Sequence, residues 1–322
     1  MSSRVGVVGL GAWGSALLLH LARKGVPVIG YGRGVSKKIQ EVKVGSSCFA
    51  LPASASVTNQ LSDLNDIETI VVALPAKALY SVEFPKRTTL VISATKGLEP
   101  NTLLTPLDYF TRHKGIPAAM CCTLSGPSFA ADLAAERPIS VVAASVDTSS
   151  AEKVVDLFIA PFMRVYSSDD PIGVELGGIL KNIIALAAGV SDSLGLGPSG
   201  RAALITRGLA EITRLAVALG AKPTTLAGLS GLGDLIMTSS DDQSRNRSVG
   251  LRLGKGETIE EITTSLGSVA EGVATAPLAL KLAQERGIET PICEHVVLLL
   301  TRKITPQEMV TSLMQRPRKK EF

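Results

Sequence analysis

Two segments hold residues whose types and spacing suit chemistry on a small molecule. The first, Val5-Gly6-Val7-Val8-Gly9-Leu10-Gly11-Ala12-Trp13-Gly14, is a β-branched run followed by glycines spaced Gly-x-Gly-x-x-Gly. In that spacing the first glycine turns the chain out of a strand, the second lets backbone approach phosphate, and the third lets a helix pack closely on the sheet. The free N–H groups at the helix start then hold a pyrophosphate without needing a lysine. The second, Glu175-Leu176-Gly177-Gly178-Ile179-Leu180-Lys181-Asn182, sets an amine among small neighbours. On a helix starting near Pro171, Gly177, Lys181 and Ala185 share a face with Ala188 close by, which places Lys181 in a cleft left open by glycine and alanine. Partial desolvation there lowers an amine's pKa and suits it to give a proton to an alkoxide and take one from an alcohol. Read singly, Lys181 fits a solvated helix face at least as well, because lysines are mostly exposed. Together the segments point to hydride chemistry on a carbonyl.

Three further segments bear on that reading. Ser93-Ala94-Thr95-Lys96-Gly97 follows an apolar run, so Lys96 falls at a strand's carboxyl end, where ligands gather in open α/β sheets. Leu124-Ser125-Gly126-Pro127-Ser128-Phe129-Ala130 follows the next run, and is read either as backbone and hydroxyl for a ligand or as a plain Gly-Pro turn. Leu229-Ser230-Gly231-Leu232-Gly233-Asp234, with Thr238 and Ser244-Arg245-Asn246-Arg247 beyond, combines cations and hydroxyls near a helix start, which suits a phosphate. Asp234 is placed to pair with Lys181 or orient it. A solvated helix face fits Arg247 better than Arg245. After the second strand, where a carboxylate would bind the ribose of NAD, the chain reads Gly32-Arg33-Gly34 with Lys37 and Lys38 beyond. Arg33 therefore suggests that the 2′-phosphate of NADP is tolerated or preferred, the alternative being a solvated loop charge.

The elements that must position these residues follow from the apolar pattern. Runs at Thr69 to Leu74, Leu90 to Ser93, Met120 to Leu124 and Ile139 to Ala143 are apolar on both faces, as in parallel strands covered by helices. After Met163-Arg164-Val165-Tyr166 the strands give way to long alanine- and leucine-rich segments around Val174 to Ser191, Arg201 to Leu219 and Glu271 to Glu285. The fold class is thus α/β, a Rossmann-type doubly wound parallel sheet over residues 1–170 followed by an all-helical domain over 171–322. The boundary lies at the turn formers Ser167 to Pro171.

Composition fits an ordinary globular protein of 322 residues, 45% hydrophobic and 19% charged, with a net charge of +4. Arg316, Arg318, Lys319 and Lys320 read as a disordered tail, not a nucleic-acid contact. No uninterrupted apolar stretch approaches the roughly 20 residues of a membrane span, and no signal segment precedes the first strand, so a cytoplasmic protein without membrane insertion is expected. Cys48, Cys121, Cys122 and Cys293 give neither a disulfide framework nor metal-ligand spacing, and His20, His113 and His295 lie far apart, so no metal is expected.

The ordered blocks Gly-x-Gly-x-Trp-Gly, Ser-Ala-Thr-Lys-Gly, Ser-Gly-Pro-Ser-Phe-Ala, Glu-Leu-x-Gly-x-Leu-Lys-Asn, Thr-Arg-Gly-Leu-Ala-Glu, Gly-Leu-Gly-Asp-Leu, Ser-Arg-Asn-Arg and Glu-Gly-Val, from Val5 to about Pro291, resemble the NAD(P)-dependent glycerol-3-phosphate dehydrogenases of bacteria and organelles. The resemblance implies reduction of dihydroxyacetone phosphate to sn-glycerol 3-phosphate by NADPH or NADH, for phospholipid synthesis, in the cleft between the domains of a homodimer. It implies Lys181 as proton donor and acceptor. Lys96, Gly126, Ser128, Asp234, Ser244, Arg245 and Asn246 would bind substrate. Gly9, Gly11, Ala12, Trp13, Gly14, Arg33, Ala130, Val269 and Glu271 would line the dinucleotide, with Lys96 and Arg245 also touching it. The chain departs from the pattern between Pro75 and Leu90, which is short, at Ser46 to Pro52, which lacks Asn-Pro, and at Thr238-Ser239-Ser240, which lacks a cysteine. A related 3-hydroxyacid or sugar-acid dehydrogenase would separate lysine from asparagine by several positions, whereas Lys181 and Asn182 are adjacent. A non-catalytic dinucleotide sensor would leave the second-domain residues without a task.

Overall fold

The computed structural model describes residues 4–36, 39–85, 87–266, 270–318 and 320. Contacts divide the chain into two units, Met1–Glu175 and Leu176–Phe322.

The first unit runs β1 (Val5–Val8), α1 (Ala12–Arg23), β2 (Val28–Tyr31), β3 (Glu41–Val44), β4 (Ser47–Ala50), β5 (Ala55–Thr58), β6 (Thr69–Val72), α2 (Ala76–Leu79), β7 (Leu90–Ser93), α3 (Pro106–Arg112), β8 (Cys121–Ser125), α4 (Ala130–Ala134), β9 (Ile139–Ala144), α5 (Thr148–Phe158) and β10 (Met163–Ser168). Eight strands form one sheet in the order β10-β9-β8-β7-β6-β1-β2-β5. Because β1 pairs in parallel with both β2 and β6, the chain winds outward on either side of it. The end of β1 is therefore the switch point where open α/β sheets bind ligands. Alternation along the strands buries Val7, Val71, Ile92 and Leu124 with α1 and α5 on one face, and Val8, Ile70, Val72 and Val91 with Leu79, Tyr109 and Phe110 on the other.

Two features correct the expectation of a wholly parallel sheet. Strands β8 and β9 are antiparallel. The reason is length: a five-residue α4 rises only about 7 Å, against roughly 16 Å for β8, so the chain re-enters from the same end. The pair β3 and β4 forms a separate hairpin, Val44 opposite Ser47 across a two-residue turn at Gly45 (φ +61°). Between Pro75 and Leu90 the helical content is the single turn α2, and Lys86 lies outside the described residues.

Helix α6 (Pro171–Ser193) opens at the end of the first unit, with Pro171 in its first turn and Asp170 Oδ1 accepting from Gly173 N at 2.9 Å. By length and composition it passes as a membrane span, and 94% of its apolar window is buried inside the protein. The second unit continues with α7 (Gly197–Ala218), α8 (Pro223–Leu226), a π turn over Leu229–Gly233, α9 (Asp234–Ser240), α10 (Arg245–Gly254), α11 (Ile259–Leu266), α12 (Glu271–Glu285), α13 (Pro291–Leu300) and α14 (Pro306–Met314). Close backbone approach seats α10 on α6: a Cβ at Gly189 would lie 2.1 Å from Arg247 O, and one at Gly250 2.0 Å from Leu186 O. Glu211, buried in α7, accepts from Ile292 N and Cys293 N at 2.9 and 2.8 Å and so caps α13. Burial raises its carboxyl to about 7 against those two hydrogen bonds. Beyond α14, Arg316 lies 3.6 Å from Glu289.

Candidate active site

In the first unit, β1 hands over to α1 through Gly9-Leu10-Gly11, and the three glycines have separate reasons. Gly9 holds φ +103°, and a Cβ there would sit 2.7 Å from Ala73 O. A Cβ at Gly14 would lie 1.7 Å from Gly9 O, so only hydrogen lets α1 start this close to the strand. At Gly11 nothing lies within 4 Å of that position. Gly11 is also the N-cap of α1, and no side chain caps the helix start. An exposed helix terminus with free space before it is what a dinucleotide's pyrophosphate fits. Ala12 is exposed, Trp13 is half-buried against the sheet core, and Arg33 is exposed in the turn after β2. Lys37, Lys38 and Val269 lie outside the described residues.

Two loops at the carboxyl ends of adjacent strands carry the other first-unit residues. Lys96, half-buried, follows β7, and Thr95 Oγ1 just before it donates to Leu74 O at 2.9 Å. After β8, Gly126 takes φ +148°, with the Cβ position 2.9 Å from Ser140 O. Ser128 Oγ donates back to Gly126 O at 3.0 Å, and Ala130 opens α4.

In the second unit Lys181 is buried, 6% exposed, and its ammonium donates to Asp234 Oδ1 and, at 2.7 Å, to Thr238 Oγ1. Thr238 in turn donates to the same Oδ1 at 3.2 Å. The small face around Lys181 is not open. A Cβ at Gly177 would meet Ser230 O at 2.6 Å, so the glycine is filled by the backbone of the π turn that delivers Asp234 to the lysine. Lys181 and Asp234 thus form a buried ion pair, and the hydrogen bonds to Asp234 and Thr238 hold the amine in one position.

The next residue extends this cluster. Asn182 Oδ1 accepts from Asn246 Nδ2 at 2.9 Å, and Asn246 Oδ1 accepts from Gly272 N at 2.8 Å, tying α6 and α10 to the start of α12, where Glu271 is half-buried. Ser244 is the N-cap of α10, its hydroxyl accepting from Arg247 N at 3.2 Å. The two arginines exchange their expected places: Arg245 is exposed, whereas Arg247 is buried, its guanidinium 2.7 Å from Asp192 and 2.5 Å from Asp242. Charge partners from α6 and from the loop before α10 make burial of that arginine tolerable. Thr238 and Asn182 join this cluster through hydrogen bonds, although the sequence reading, which places Thr238 in the hydroxyl-bearing segment and Asn182 beside Lys181, gives neither a role. The four-residue spacing of Asp234 and Thr238 and the adjacency of Lys181 and Asn182 are the signals for them. Among the described residues no three His, Cys, Asp or Glu gather as a metal site.

Profiles described as the N-terminus and the C-terminus of NAD-dependent glycerol-3-phosphate dehydrogenase match residues 4–151 and 170–311. The chain belongs to that family. The glycerol-3-phosphate dehydrogenase [NAD(P)+] of Geobacter metallireducens is 42% identical over the whole of this chain and 99% of its own length. That of Aromatoleum aromaticum is 42% identical over 99% of this chain and 100% of its own. The crystal structure of glycerol-3-phosphate dehydrogenase from Coxiella burnetii matches with a TM-score of 0.89 at 33% identity, covering 98% of this chain and 99% of that one. The enzyme is an oxidoreductase that interconverts dihydroxyacetone phosphate and glycerol 3-phosphate with NAD(P)H. Its substrate is a small phosphorylated molecule.

Proposed function

We propose that Lys181 is the proton donor in ketone reduction and the proton acceptor in the reverse direction. The observation that carries this reading is the buried ammonium fixed between Asp234 and Thr238. The nicotinamide, when bound, supplies a hydride to C2 of the ketone. Lys181 Nζ gives a proton to the oxygen as it gains negative charge, so the C=O becomes CH–OH and the lysine is left as a neutral amine that regains its proton from solvent. Asp234 and Thr238 hold Nζ in one position, and Asn246 does the same for Asn182 beside it. Lys96, Gly126, Ser128, Ser244 and Arg245 bind the substrate, with Arg245 and the start of α10 directed to its phosphate. Gly11, the first turn of α1, Ala130 and Glu271 serve the dinucleotide.

Phosphate contacts of this kind fix the carbonyl through remote binding energy. Unphosphorylated dihydroxyacetone is therefore expected to be reduced with a kcat/KM lower by about 10³-fold or more. Initial rates of NADPH oxidation with the two ketones measure this. Equal values would remove the phosphate from the reading.

That NADP is tolerated or preferred rests on Arg33, whose exposed guanidinium stands where a ribose-binding carboxylate would otherwise be. Arg33→Ala should weaken NADPH by about tenfold and NADH much less. Trp13, the chain's single tryptophan, lies at the start of α1 and reports both affinities through its emission. An unchanged ratio would reject the role. The product is the backbone of glycerophospholipids, and supply of that backbone is the proposed task. Assembly as a homodimer rests on family resemblance.

A further inference from the structure

The loop that presents Lys96 has no regular structure, yet it is held at both ends. Thr95 ties its front to Leu74 O. At its back, Leu98 and Leu103 are buried, and between them the chain reverses through Glu99-Pro100-Asn101-Thr102, Leu103 taking the left-handed φ of +58°. A leucine does not adopt that conformation without something to hold it.

Glu99 is what holds it. Its carboxylate accepts from Asn101 N at 2.7 Å, Asn101 Nδ2 at 3.1 Å, Thr102 Oγ1 at 2.7 Å and Thr102 N. Its own backbone closes the turn, Glu99 N donating to Leu104 O and Leu103 N to Glu99 O, both at 2.9 Å. Burial acts to raise this carboxyl, and the hydrogen bonds from Thr102 and Asn101 outweigh it and hold it below the usual carboxylate range. A charged acceptor that collects backbone and side-chain donors over three residues makes the turn rigid. The rigid turn begins three residues after Lys96.

We infer that Glu99 is a positioning residue for the reaction: by locking the 99–104 turn it fixes where Lys96 stands to meet the phosphorylated ketone. This rests on the proposed contact between Lys96 and substrate. Glutamine at 99 keeps the shape and loses the charge: with its one oxygen at the Oε2 position, Asn101 Nδ2 loses its acceptor and the other three bonds lose their charge assistance, so the turn loosens.

The test is a double-mutant cycle on the full-length enzyme with dihydroxyacetone phosphate, using Glu99→Gln, Lys96→Ala and both together. Glu99→Gln is expected to raise KM by about tenfold while kcat changes by no more than about threefold, and to add almost nothing in the Lys96→Ala background. Thr102→Ala, which removes one donor and leaves the carboxylate, should act in the same direction by about threefold, and serves in the same cycle if Glu99→Gln does not fold. NADPH affinity read from Trp13 emission should follow the same coupling. A general loss of stability would lower kcat/KM equally with and without Lys96, and that result overturns the inference alone. If Lys96→Ala itself leaves KM unchanged, the Lys96 contact falls, and the inference with it.

Discussion

Replacing Lys181 with methionine is expected to lower kcat for dihydroxyacetone phosphate by about 10²- to 10⁴-fold, the usual contribution of a positioned proton donor. NADPH affinity should stay within about threefold, because the interaction removed is made in the transition state. The substitution has a second consequence that must be separated from the first. It leaves Asp234, which is 0% exposed, without its ion partner, and breaking a buried pair costs about 3–5 kcal/mol. Lys181→Met with Asp234→Asn removes the uncompensated charge and should recover most of that stability. If Lys181 served only to neutralise Asp234, turnover would return with stability. As a proton donor its loss leaves the double variant stable and inactive, with single-turnover rates and thermal unfolding as the two readouts.

The second large effect concerns Glu175, six residues before Lys181 on α6. Its carboxyl is 3% exposed, and Oε1 accepts from Leu107 N at 3.0 Å. Desolvation raises it to about 8, against the hydrogen bonds from Thr105 and Leu107, with Asp108 adding repulsion. The folded protein therefore keeps a proton on Glu175 that the unfolded chain releases near pH 4.5. With more protons bound at Glu175 in the folded state, this group's contribution to stability is full below about pH 4.5, falls as pH rises, and is lost above about pH 8. Glu175→Gln mimics the protonated form. The variant should match the wild type near pH 4 and exceed it by on the order of 3–5 kcal/mol above pH 8. Urea unfolding at pH 4, 6 and 8.5 checks this, and a difference that does not change with pH would contradict it.

Much of the scaffold is legible because it is local. Val5 to Val8, Leu90 to Ser93 and Glu271 to Glu285 are delimited by apolar runs, glycine and helix formers, and they stand as β1, β7 and α12. The β3–β4 hairpin is faint because each strand buries few residues: Val42 and Val44 in β3, none fully in β4. The reversal at β8–β9 depends on how far a five-residue helix carries the chain, a geometric fact that composition does not contain. Burial of Arg247 is illegible for another reason. Its partner Asp192 is 55 residues away on α6, and an arginine reads as solvated until that carboxylate is placed beside it. The same holds for Gly177, whose smallness suggests space and in fact admits the backbone of Ser230. Small residues in a sequence say that something comes close, not what.

The central claim is that the amine at position 181 moves the proton, and rescue of a truncated side chain tests it most directly. In Lys181→Ala, with NADPH and dihydroxyacetone phosphate saturating, added primary alkylamines small enough to fill the vacated space should restore turnover. The restored rate should rise with the concentration of the ammonium form. A Lys181→Ala enzyme that turns over within a few-fold of wild type without any amine would contradict the account.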